Sequence, residues 1–156
     1  MKDYKKIENY GIIGDLNTCA LVGKDGSIDW CCFPHIESPS VFAGVLDIDK
    51  GGHFAVYPSD NFDSEQRYIE RTNVLQAVFK TSTGTAILAD FMPVIAEENT
   101  EKQLRKGIYR KIVCDKGFMD LKIVFKPRSD YAQTQTIIKP TERGVITILV
   151  IMNRPF

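Results

Sequence analysis

The stretch Asp25 to Gly44, DGSIDWCCFPHIESPSVFAG, brings together the only tryptophan of the chain, two adjacent cysteines, one of two histidines and three serines. Ser27 or Ser38 with His35 and Asp29 are the residue types of a nucleophile, a base and an orienting acid. The Gly-x-Ser-x-Gly elbow that exposes such a serine on an α/β scaffold is missing, however. Paired carboxylates are the other chemistry on offer, since glycoside cleavage needs one acid and one base across the scissile bond. Asp15, Asp25, Asp29, Glu37, Asp47 and Asp90 qualify by type. Most stand beside glycine or at strand ends, where an acidic side chain commonly serves a turn. Asp29 and Asp90 fall inside strand patterns, where a carboxylate held by backbone or arginine needs no catalytic role. Trp30 reads as a core anchor sharing a strand face with Ile28 and Cys32, or as a platform on which a sugar ring stacks. His35, after Pro34, reads as a loop residue.

Other site chemistries find no support. Cys19, Cys31, Cys32 and Cys114 form no Cys-x-x-Cys pair, and His35 and His53 stand apart, so neither a zinc site nor any other metal is expected. Buried free thiols are the expectation instead. No Gly-rich phosphate or dinucleotide loop opens a helix, and no cofactor is implied. Twenty basic residues balance twenty acidic ones without a long run of either sign. Such a chain has no field to hold nucleic acid or a membrane surface. The charged start MKDYKKIENYG and the lack of a long apolar stretch predict a soluble, cytoplasmic protein.

The elements that must position these residues are strands. Alternation and turn chemistry predict strands at Tyr10 to Gly14, Thr18 to Gly23 and Ile28 to Phe33, the last two closed by a hairpin at Lys24-Asp25-Gly26-Ser27. Pro34 and Pro39 interrupt pairing, and Ser38-Pro39-Ser40 reads as the cap of a short helical turn over Val41 to Leu46. His53 to Tyr57 is a further strand, Ser59 to Glu65 a loop, and Arg67 to Arg71, Val74 to Thr81 and Thr85 to Phe91 three more strands. Glu97 to Lys106 reads as a solvated connector. Ile108 to Cys114 and Phe118 to Pro127 flank Asp115-Lys116-Gly117 as a predicted hairpin, and Tyr131 to Lys139 with Val145 to Met152 end the chain. About nine or ten strands with almost no helix predict one all-β domain over residues 1–156, an antiparallel β-sandwich.

Several blocks in this order resemble a known family. They are IENYGIIGD (7–15), DGSIDWCCFP (25–34), SPSVFA (38–43), QRYI (66–69), TNVL (72–75), DFMP (90–93) and KPRSDY (126–131). As a set they are similar to the N-terminal domain of the family 15 glycoside hydrolases, the prokaryotic glucoamylase and trehalase-like proteins. The resemblance implies a supersandwich β-domain that precedes an (α/α)6 barrel carrying two catalytic glutamates and a W-D-Y-R-Y-x-W-x-R-D substrate block. No such barrel sequence is present here, and inverting hydrolysis needs an acid and a base about 6.5–9.5 Å apart on one scaffold. The resemblance therefore implies a noncatalytic domain, inactive alone, with no catalytic residue of its own. It would pack on and shape a catalytic barrel acting on α-glucosides. Asp29, Trp30, His35, Ser38 and Ser40 are the implied interdomain or substrate-rim positions. The family usually has Pro-Arg-Phe-Asp-Ser-Pro where this chain has Pro34-His35-Ile36-Glu37-Ser38-Pro39, losing a forked arginine.

The apolar run VITILVIMNRPF (145–156) stops abruptly, and a truncated or frameshifted frame is expected from it. An unpaired apolar edge there predicts a homo-oligomer. A stand-alone carbohydrate-binding module, taking an α-glucoside through Trp30 and nearby aromatics, is the competing expectation.

Overall fold

The computed structural model describes residues 4–94 and 106–150, with side chains as far as residue 147. A single 3-10 turn, Ile7–Asn9, precedes twelve strands among the described residues. These are β1 Tyr10–Gly14, β2 Cys19–Gly23, β3 Ser27–Cys32, β4 Ser40–Ala43, β5 His53–Pro58, β6 Asp63–Tyr68, β7 Leu75–Lys80, β8 Gly84–Phe91, β9 Tyr109–Gly117, β10 Leu121–Lys126, β11 Gln135–Thr141 and β12 Gly144–Val150. One sheet runs β1-β2-β3-β5-β10, with β4 also paired to β3. A second runs β6-β7-β8-β9, and β11 and β12 pair with each other as a two-stranded sheet. All pairings are antiparallel.

The core lies between the first two sheets. Ile13, Ala20, Val22, Ile28, Cys31 and Phe42 of the larger sheet close on Leu75 and Met92, and Val56 closes on Ala77, Phe79 and Leu88. Period-2 alternation supplies these faces: in β7 and β8, Leu75, Ala77, Phe79, Ala86, Leu88 and Asp90 point inward while their neighbours are half-buried or, at Lys80, exposed. Burying a side chain the size of Phe79 contributes roughly 1.5–3 kcal/mol.

Among the polar residues that link the layers, Arg110 is the buried one at the centre. Arg110 of β9 forks onto Asp90 of β8, Nε to Oδ1 at 2.7 Å and Nη2 to Oδ2 at 3.0 Å. It then reaches the other sheet, donating to the Phe54 carbonyl at 2.9 Å and the Gly26 carbonyl at 2.7 Å. Its guanidinium carbon stands 4.7 Å from the Phe54 ring centre. Asp90 is thus the buried, arginine-held carboxylate its place in a strand allowed.

The Lys24–Ser27 hairpin is present. Gly26 has φ 81°, and a Cβ there would lie 2.2 Å from the Val56 carbonyl oxygen, so both backbone conformation and space demand glycine. Other expectations need correction. Ser40–Ala43 is a strand on β3, not a capped helical turn, because Val41 and Phe42 prefer a pleated surface. The expected loop Ser59 to Glu65 is strand from Asp63, and the strand expected at Arg67 to Arg71 is only its end, which stops at Tyr68 with Arg71 left-handed at φ 60°. β6 is an edge strand, largely polar, whose backbone pairs fully with β7. Asp115-Lys116-Gly117 closes no hairpin. β9 pairs with β8, β10 crosses to β5 in the other sheet, and Gly117 at φ 67° turns the chain between layers. The last hairpin starts at Gln135 rather than Tyr131, because Asp130, Tyr131 and Ala132 are left-handed, at φ 52°, 53° and 62°. The connector Glu97 to Lys106 lies, but for Lys106, outside the described residues.

Candidate functional site

A bulge in β3 sets the site. Val22 pairs with Ile28 and Leu21 with Trp30, so Asp29 is the extra residue that two-for-one pairing leaves over. Such a bulge re-aims a side chain and reverses the facing of the residues beyond it. Ile28 and Cys31 both enter the core, whereas Trp30 is half-buried opposite Leu21 and Ala43 and belongs to neither core cluster. The expected shared face of Ile28, Trp30 and Cys32 is thereby corrected.

Asp29 faces the outer side of the larger sheet, together with Ser27. The neighbouring strand adds His53, Ala55 and Tyr57, which alternate with inward Phe54 and Val56. The segment before β1 crosses this face and brings Lys5. Its ammonium lies 2.6 Å from Asp29 Oδ2 and 2.8 Å from Asp25 Oδ2, donates to the Ser27 hydroxyl, and stands 5.7 Å from the Tyr10 ring centre. Tyr10 donates its phenol to Asp29 Oδ2 at 2.7 Å. The Ser27 hydroxyl is 3.0 Å from Asp25 Oδ1 and from Asp29 Oδ2, and with one proton it serves one of them at a time.

This network forms one wall of a cavity of about 450 Å³, whose remaining walls include Tyr4, Tyr57, Phe62 and Ile48. Burial, then the Asp29 carboxylate, pushes the Tyr10 phenol well above its ordinary range, so it stays a donor. Desolvation holds the His53 imidazole below its usual value despite the opposing pull of Asp29, so it is neutral at pH 7.

The predicted site residues therefore separate. Asp29 is in the cavity. Trp30 is on the same strand but does not line it. His35 is exposed in the β3–β4 loop, where its backbone N–H donates to the Ser38 hydroxyl at 3.2 Å. Ser40 is buried and structural: its hydroxyl accepts from the Tyr131 N–H and its carbonyl from the Asp130 N–H, both at 2.9 Å. Non-glycine residues resist the left-handed region, and these bonds hold the Asp130–Ala132 turn in it. The SPSVFA and KPRSDY blocks thus meet in space, 126 to 131 against 38 to 43. Lys5, Tyr10 and Tyr57 carry no sequence signal that ties them to Asp29, apart from the alternation that sets Tyr57 opposite Val56.

Of the remaining acidic candidates, Glu37 is exposed in the β3–β4 loop, and Asp15 and Asp47 serve turns. Asp15 Oδ1 accepts from the Asn17 and Thr18 N–H groups, both at 3.0 Å, and Asp47 Oδ1 from those of Asp49 and Lys50. No cluster of three His, Cys, Asp or Glu side chains placed to hold a metal occurs among the described residues.

A two-sheet antiparallel domain with these motif blocks in contact defines a class, and comparison with known proteins specifies it. Residues 2–154 match the family described as trehalase-like, N-terminal, and the chain belongs to that family. It is 38% identical over 150 residues to a trehalase of Thermoplasma volcanium, covering 94% of this chain and 23% of that protein. It is 37% identical over 130 residues to a trehalase of Thermoplasma acidophilum, covering 81% and 22%. A trehalase of Mycobacterium tuberculosis is 27% identical over 141 residues, with 82% and 21% covered. The chain thus spans less than a quarter of the length of the relatives it matches. No solved structure matches it.

Proposed function

We propose that this chain is the noncatalytic N-terminal β-domain of a family 15 glycoside hydrolase acting on α-glucosides, which packs against and shapes a catalytic (α/α)6 barrel. One observation carries this reading: similarity to a trehalase runs through 94% of this chain and occupies only 23% of that enzyme, leaving a large remainder for the chemistry. The face it presents to the barrel is the β3–β4 segment with Trp30, His35 and Ser38, buttressed from below by Ser40 and the Asp130–Ala132 turn. Asp29 and its cavity open on the outer side of the same sheet. The free thiols of Cys19, Cys31, Cys32 and Cys114 support a reducing, cytoplasmic setting. The exposed Ile123 on edge strand β10 and Val145 and Ile146 on β12 support self-association of the isolated chain.

The test is reconstitution. The purified chain is mixed with a separately produced family 15 catalytic barrel, and glucose release from trehalose and maltose is assayed beside co-sedimentation. The chain alone should release no glucose, while the mixture should form a complex and release more than the barrel alone. Absence of any complex would sink the packing role, and sedimentation of the chain only as monomer would remove the self-association.

A further inference from the structure

We propose that the cavity over Ser27 and Asp29 is a binding site for a neutral polyhydroxylated ligand of sugar size. Such a site lies beyond the packing role and stands whether or not a barrel docks. At about 450 Å³ the cavity falls within the roughly 300–1,000 Å³ of small-molecule sites. Its build also suits one: rings of Tyr4, Tyr10, Tyr57 and Phe62 surround a small convergent set of polar groups. Rings of this kind cover the C–H faces of a pyranose, and fixed acceptors orient its hydroxyls.

Charge selects the ligand class. The Lys5 ammonium already sits between the two carboxylates and beside the Tyr10 ring, which is the place a ligand cation would take. With Lys5 and Asp29 paired and His53 neutral, the interior carries no net charge. The remaining charge, Asp25, is 41% exposed and solvated at the mouth. An anion would face two carboxylates, and a cation would have to displace Lys5. What the interior offers is acceptors. Asp29 Oδ2 is occupied by Lys5, Tyr10 and Ser27, but Asp29 Oδ1 and the His53 ring have no hydrogen-bond partner among the described residues. A ligand rich in neutral O–H donors matches them. Trp30 takes no part, which separates this site from a tryptophan platform.

The test is calorimetric titration of the 156-residue chain with trehalose and with glucose. Ethanolamine serves as the cationic probe, and backbone amide shifts locate any binding. At least one of the sugars should saturate, with shifts concentrated at residues 25–29 and 53–57. Tyr57→Ala, which leaves the Lys5–Asp29 network intact, should weaken that binding about tenfold or more in a protein that still folds. Asp29→Asn, which keeps shape and removes the charged acceptor, should weaken it by a similar factor. Failure of both sugars to saturate, shifts elsewhere, preferential binding of ethanolamine, or unchanged affinity in a folded Tyr57→Ala protein would each overturn the site. Reconstitution with a barrel reports on the packing role alone, so the two failures are distinguishable.

Discussion

Two cation–carboxylate pairs, one between the two sheets and one on the outer face of the larger sheet, do different work. Arg110–Asp90 lies between the layers with side chains 5% and 2% exposed, forked, and joined to two carbonyls of the facing sheet. Lys5–Asp29 lies on the outer face at 27% and 11% exposed, held by a segment crossing from the N-terminus, and opens on a cavity. In the first, all the geometry is spent inside the protein: the guanidinium satisfies both carboxylate oxygens and its spare donors find backbone. In the second, one carboxylate oxygen is crowded with donors and the other is left available. A buried pair with every group satisfied holds layers together, whereas a pair with an open acceptor beside a cavity can also meet a ligand.

The contrast can be broken most forcefully at the core pair. Asp90→Ala leaves a guanidinium buried without its counter-ion, and urea unfolding should show a loss of about 3–5 kcal/mol. A loss no larger than that of Asp29→Ala would erase the distinction. At the outer pair, Asp29→Ala removes charge-assisted hydrogen bonds that water can partly replace, and a loss of roughly 1.5–3 kcal/mol is expected in the same measurement.

Smaller still is Tyr10→Phe, which deletes one hydrogen bond and should cost about 0.5–1.5 kcal/mol at pH 8. This contribution depends on pH in a set direction. Folding raises the Tyr10 value above that of the unfolded chain, about 10, because burial and Asp29 both disfavour phenolate. Stability from the protonated phenol is therefore complete below about pH 10 and is lost as pH rises toward the folded value. Urea midpoints of native protein and Tyr10→Phe should converge as pH is raised past 10, and a constant gap would contradict the assignment.

The smallest effect concerns thiols of the core side, with no stability change expected. Burial, and then Cys32 beside it, push Cys31 up to about 12, while Cys114 is exposed on β9. Ellman's reagent at pH 8 should therefore label Cys114 quickly and Cys31 only on unfolding. Cys114→Ser should abolish the fast phase, and fast labelling that survives in a Cys114→Ser, Cys19→Ser protein would show the core thiols to be open.

Much of this architecture is written locally. The Gly26 turn, the alternation of β7 and β8, and the acidic turns at Asp15 and Asp47 follow from residue types within a few positions, and all are present. The ordered blocks from IENYGIIGD to KPRSDY point to the family that the match over residues 2–154 shows. The expectations that fail involve choices between partners. Gly117 permits either a hairpin or a crossing, and only the free edge of β5 draws β10 into the other sheet. Ser40–Ala43 could be turn or strand until β3 is beside it.

By itself the sequence determined an all-β, antiparallel, two-layer domain of the trehalase-like N-terminal kind, because alternation, glycine turns and motif order are local properties of the chain. Tertiary structure alone decided the facing of Trp30, since a single bulged residue inverts a strand's period and no period announces it. It likewise decided which cation each carboxylate receives: Arg110 reaches Asp90 across one strand pair, and Lys5 reaches Asp29 from 24 positions away. Such pairings depend on which strands become neighbours, and that is settled only when the sheets close on their core.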